Sequence, residues 1–82
     1  MNTFEQVKKI LIEVLNLSEQ GLALTADSNL LGALAELDSM AVVSVIAKLE
    51  DYFGFSIEDD EISGQVFETL GSLSTFVESK LA

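Results

Sequence analysis

Glu36-Leu37-Asp38-Ser39-Met40-Ala41-Val42-Val43 is the stretch that decides the fold of this chain. An acidic residue and a serine stand at the mouth of an apolar segment that runs to Phe53 and stops at Gly54. Asp38 or Ser39 can cap a helix there, a side-chain oxygen accepting a bond from an unpaired amide of the first turn. Met40 to Phe53 contains neither proline nor glycine and reads as a helix of about four turns at roughly 3.6 residues each. Gly54 suits the left-handed residue that ends it. Ser39 is thereby expected at the exposed start of a rigid helix, and the simplest reading of it is a cap and nothing more.

Bulk composition narrows what the chain can do. At 82 residues it is expected to be one small domain, which buries only about 60% of its unfolded surface. The apolar fraction of 49% is enough for one core. There is no cysteine, hence no disulfide framework, thiolate metal site or thiol nucleophile, and no histidine to act as a general base. A self-contained hydrolase triad is not expected, and no metal ligand set is read. The net charge of −10 repels phosphate backbones and anionic membranes and steers the chain towards basic partners. Glu5, Lys8, Lys9 and Glu13 interrupt the first segment, so no signal peptide is read, and no apolar run reaches spanning length. A cytoplasmic monomer without membrane insertion is the expectation.

The flanks then fall into place. Thr3 and Gln6 have capping-box spacing, and Phe4, Val7, Ile10, Leu11, Val14 and Leu15 recur at helical intervals up to Asn16 or Leu17. Ser18 to Leu37 is too long for a structureless connection and carries Leu22, Leu24, Leu30, Leu31, Leu34 and Leu37. It reads as a loop packed across the core, with one helical turn around Asp27 to Leu31. On the helix from Ser39 to Phe53, Val43, Ile46, Ala47, Glu50 and Phe53 mark a stripe that faces the core except at Glu50. Ala41, Val42 and Val45 lie off it, partly exposed. Phe55-Ser56-Ile57 is an extended link, and Glu58-Asp59-Asp60-Glu61 an acidic run without calcium-loop spacing. Ile62, Val66 and Phe67 predict a short third helix near Gly64. Thr69 caps a last one whose apolar stripe is Leu70, Leu73, Phe76, Val77 and Leu81.

Asp38-Ser39-Met40 at the start of the second main helix, Leu49-Glu50-Asp51 with Phe53, Phe55-Ser56-Ile57 and the acidic run together resemble an acyl carrier protein over nearly the whole chain. The resemblance implies an all-α four-helix bundle, three main helices and one short one, with a long first loop. It also implies a carrier in place of an enzyme. The serine matching Ser39 receives 4′-phosphopantetheine from coenzyme A, placed there by a separate phosphopantetheinyl transferase, and the arm's thiol holds acyl groups as thioesters. A phosphodiester at a helix N-terminus meets unpaired amides and the positive end of the dipole. Asp38, like-charged, serves as cap, partner contact or ligand of the transferase's metal. Other partners implied are an acyl-loading ligase or transferase and ketoacyl synthase-type enzymes of fatty-acid, polyketide or specialised lipid biosynthesis. Glu36, Asp38, Met40, Ala41, Val42, Val45, Glu50 and Asp51 are the candidate partner contacts. Val43, Ile46, Ala47, Phe53 and Ile62 are candidates to line a pocket for the acyl chain.

The departures from the family pattern are informative. Ala35-Glu36-Leu37 fills an approach where glycine is common, and Ala41 and Ser44 stand where fatty-acid-synthesis carriers place acids. Fewer charges weaken ionic steering, while Val42 and Val45 favour apolar docking. A specialised carrier for a dedicated polyketide, peptide or lipid pathway follows from these differences. Leu34 to Val43 and Asp59 to Gly64 are also similar to stand-alone carriers near exosortase-type gene clusters. Two alternatives stay open: an aminoacyl or peptidyl carrier, and an acidic helical adaptor in which Ser39 is only a cap or a phosphorylation site.

Overall fold

In the computed structural model, residues 2–82 are described, Asp59 by its backbone alone. The readings made at Met1 and of the Asp59 side chain lie outside that description. Four α-helices follow one another: α1 (Thr3–Val14), α2 (Glu19–Leu22), α3 (Ser39–Phe53) and α4 (Leu70–Leu81), with a 3-10 turn at Asp59–Glu61. Among the described residues there is no strand, only an isolated bridge between Asn29 and Thr69.

α1 packs on both α3 and α4 and gives the core Val7, Ile10 and Leu11. Its start lies one residue before the capping box expected at Thr3. Asn2 is the cap, Oδ1 accepting from the Glu5 amide at 2.8 Å. At the other end Asn16 takes a left-handed φ of 57°, and the Leu17 amide reaches back to the Ile12 carbonyl at 2.9 Å. That six-to-one bond turns the chain sharply and buries Leu15 and Leu17.

The long loop is packed, as its leucines require. Leu24, Leu30 and Leu37 are buried and Leu34 is half-buried, whereas Leu22 and Leu31 stay exposed. Its helical turn falls at Glu19–Leu22, not around Asp27 to Leu31. The latter segment instead runs along the entry to α4. Leu30 N donates to Glu68 O, Leu31 N to Phe67 O, Leu70 N to Ser28 O and Gly71 N to Ala26 O, at 2.8–3.1 Å. A segment whose amides serve a neighbour in this way cannot also close its own helical bonds. The Lys8 ammonium holds the loop's other half, donating to the Leu22 and Leu24 carbonyls. Gly21 is needed where α2 meets α1: a Cβ there would lie 2.6 Å from Ile12 Cγ1 and 2.9 Å from Leu17 Cβ.

α3 begins and ends where its cap and glycine predict, Gly54 taking φ 75°. Its faces are rotated from the expected ones. Val45 and Leu49 are the fully buried residues, while Val43 and Ala47 point to solvent. Eight of the ten residues from Met40 to Leu49 are apolar. The sequence therefore leaves the face open, and contact with α1 selects it.

Beyond Gly54 the Ile57 amide donates to Glu50 Oε2 at 2.7 Å, folding the link back on α3, and Phe55 stacks on Phe53. The helix expected around Ile62 to Phe67 is displaced. The helical turn is the 3-10 segment at Asp59–Glu61, and Gly64 to Phe67 form turns. Thr69 caps α4 with a reciprocal capping box to Ser72, and Leu70, Leu73 and Val77 enter the core.

Candidate functional site

The site forms where the packed loop hands over to α3. Leu37 is buried at 4% exposure, its amide donating to Leu34 O, and this fixes the chain just before the turn. Asp38 is extended (φ −100°, ψ −174°), and its Oδ1 accepts from the Ala41 amide at 2.8 Å. Its carbonyl accepts from Val42 N at 2.9 Å. The cap is therefore Asp38, and Ser39 is the first residue inside the helix. Its side chain is exposed and hydrogen-bonds to no described residue. The amides of Ser39 and Met40 likewise donate to no described group. An exposed serine and two amides without a described acceptor thus stand at the positive end of a fifteen-residue helix. Such an end stabilises a negatively charged oxygen placed on it.

The surroundings carry both acidic and apolar surface. Glu36 is exposed, Oε1 accepting from Gln20 Nε2 at 3.3 Å, so the segment before the cap is tied to α2. Met40 (76% exposed) and Val43 (63%) stand one turn apart on the open face, with Ser44 and Ala47 also exposed. Ala41 and Val42 are half-buried against the core. Val45 has no exposed surface and cannot be the partner contact the sequence placed there. Asp51 is exposed, whereas Glu50 is half-buried and committed to the Ile57 amide.

Of the five residues proposed for an acyl pocket, Ile46, Phe53 and Ile62 are half-buried against the core. Val43 and Ala47 face away from it and line no interior space. Two surface grooves among the described residues are lined by none of the five. One, of about 470 Å³, is bounded by Asn2, Glu5, Lys8, Lys9, Ile12 and Leu22. The other, of about 130 Å³, lies between α1 and α3.

Sequence reasoning missed Leu49 as a core centre and Lys8 as the brace of the loop. The spacing Val42, Val45, Leu49 (three and four residues) was the available signal for the first. Nothing local marks the second, since its acceptors are backbone carbonyls of a distant segment.

The 3-10 turn is held on α4 by an ion pair, Lys80 Nζ standing 2.8 and 2.9 Å from the Glu61 carboxylate oxygens. The Lys80 bond, with a second from the Glu58 amide, holds the Glu61 carboxyl below the usual carboxylate range. Among the described residues no group of acidic side chains is arranged to hold a metal, and no helix is long and apolar enough to cross a membrane.

Two comparisons bear on this geometry. The family model described as a phosphopantetheine attachment site matches residues 5–77. The solution NMR structure of a holo acyl carrier protein from Nitrosomonas europaea is 63% identical. The match covers 99% of this chain and 98% of that one, with a TM-score of 0.90. Acyl carrier proteins are carriers and not enzymes, and the group they hold covalently is 4′-phosphopantetheine. A cap that leaves its neighbouring serine free, on a fold shared from end to end, agrees with both matches: the chain belongs to the phosphopantetheine-attachment family as an acyl carrier protein.

Proposed function

We propose that Ser39 carries the 4′-phosphopantetheine arm and that the chain presents acyl groups, as thioesters on that arm, to the enzymes of a dedicated biosynthetic pathway. The observation that supports this is the division of labour at the start of α3: Asp38 supplies the cap, so the Ser39 hydroxyl has no structural duty. Oγ bonds to the phosphorus of coenzyme A that bears pantetheine, the pyrophosphate linkage breaks, and adenosine 3′,5′-bisphosphate leaves. The hydroxyl proton passes to a base on the transferase. The Ser39 and Met40 amides, which donate to no described group, would stabilise the negative charge of that phosphodiester. The arm supplies a thiol to a cysteine-free chain.

The exposed face behind Ser39 supports a specialised role, within one carrier domain acting in the cytoplasm. Met40, Val43, Ser44 and Ala47 make it neutral and largely apolar. Acids at Glu36, Asp38 and Asp51 steer the approach of a basic partner, while Met40 and Val43 supply the contact. Fragmenting the modified peptide between Lys9 and Lys48 locates the arm, and attachment at Ser18, Ser28 or Ser44 overturns the assignment. Loading with fatty acids against amino acids, followed by turnover with a housekeeping ketoacyl synthase, tests cargo and pathway. Acyl loading with weak housekeeping turnover is expected. Preference for an amino acid makes the chain an aminoacyl carrier, and full housekeeping turnover removes the specialised role.

A further inference from the structure

The chain has four lysines and no arginine against fourteen acidic residues. Lys8 is spent on two loop carbonyls and Lys80 on Glu61. The remaining two, thirty-nine residues apart in sequence, line one groove of about 130 Å³ between α1 and α3. α1 contributes Gln6, Lys9, Ile10 and Glu13, at helical spacing along one face, and α3 contributes Lys48 and Tyr52 one turn apart. Neither lysine is within ion-pair distance of a described carboxylate, Glu13 included. Ile10, 3% exposed, forms the floor, and half-exposed Tyr52 forms a wall.

We propose that this groove is a second docking site, which takes a carboxylate-bearing segment of a partner protein. Two ammonium groups, a phenol hydroxyl and a carboxamide provide donors around a partly apolar depression, which suits a Glu or Asp side chain carried on a helix or turn. Phosphate fits less well: there is no guanidinium fork, and Glu13 on the rim repels a dianion more than a monoanion. The overall charge of −10 does not forbid it, because beyond about 8 Å at physiological salt the rest of the molecule is screened. Lys48 lies nine residues after Ser39, about two and a half turns, hence on the opposite side of α3. A partner gripping here leaves Ser39 itself uncovered, although the groove borders Ser44, one turn before Lys48. The site does not depend on which serine bears the arm.

The test is a titration of the isotope-labelled, phosphopantetheine-loaded chain with a blocked hexaglutamate peptide at about 0.15 M salt, followed by amide NMR shifts. Saturable shifts are expected at Gln6, Lys9, Glu13, Lys48 and Tyr52 and not at Met40 to Val43. The Lys9→Gln/Lys48→Gln double variant, with an unchanged melting temperature, should bind roughly tenfold more weakly, two exposed charge contacts being worth about that much. Absence of saturable shifts, equal binding by hexaglutamine, or equal binding by the double variant overturns the proposal. Inorganic phosphate that saturates the same amides and displaces the peptide at equal concentration makes the groove a small-anion site instead.

Discussion

At the scale of single residues, the start of α3 separates two roles that the sequence leaves entangled. Either Asp38 or Ser39 can cap, and both are exposed, so pattern alone does not divide them. The bond from Ala41 N to Asp38 Oδ1 does. Asp38→Ala should therefore cost about 1 kcal/mol, a fall of roughly 4–8 °C in a thermal melt, while Asp38→Asn costs far less. Ser39→Ala should leave the melt within about 0.5 kcal/mol of the parent, since no described bond is lost. Equal destabilisation by the two alanine variants would mean that the serine helps to cap. The same scale explains what the sequence concealed in Val43 and Val45. Both are valines within one apolar run, one 63% exposed and the other fully buried. Val45→Ala should cost roughly 2 kcal/mol from two lost methyl groups and the space they leave. Val43→Ala should cost less than about 0.5 kcal/mol.

At the scale of elements, the legible parts were those with chemical punctuation. α3 carries an acidic cap and a terminal glycine, α4 carries Thr69, and each begins where its cap says. The short elements moved, because tertiary bonds decide them. Asp27 to Leu31 pairs with the α4 entry instead of coiling, and in place of the short helix expected near Gly64 a 3-10 turn forms at Asp59–Glu61, fastened by Lys80. That fastening has a pH signature. The Glu61 carboxyl is held below its ordinary value by Lys80 first and the Glu58 amide second. Its contribution is therefore present above the ordinary glutamate value, about 4.3, and is lost as pH falls through the lowered one. In Glu61→Gln the melting temperature should fall less steeply below that pH than in the parent; parallel curves would show the pair to be energetically idle. Gly21→Ala tests the seam between α1 and α2. Its Cβ would crowd Ile12 and the stiff Leu17 Cβ, which should cost about 1–3 kcal/mol.

At the scale of the molecule, charge and core pull in opposite directions. Ten excess negative charges on a chain with a radius of gyration of 11.4 Å repel one another, and few described pairs offset them. Raising sodium chloride from low to physiological levels should raise the melting temperature, and a flat response would show the charges already well dispersed. The all-helical class and the carrier family were legible because cap, serine, apolar helix and acidic run occur together in one short chain. The rotation of α3 was not, because an element apolar on most sides takes its facing from its neighbours. The central claim concerns Ser39, and intact mass tests it most directly. The chain, Ser39→Ala and Ser44→Ala are each weighed before and after incubation with coenzyme A and a broad-specificity phosphopantetheinyl transferase. The account predicts a gain of one phosphopantetheine in the parent and in Ser44→Ala and none in Ser39→Ala. A gain in Ser39→Ala, or none in the parent while a known carrier is modified in the same tube, would contradict it.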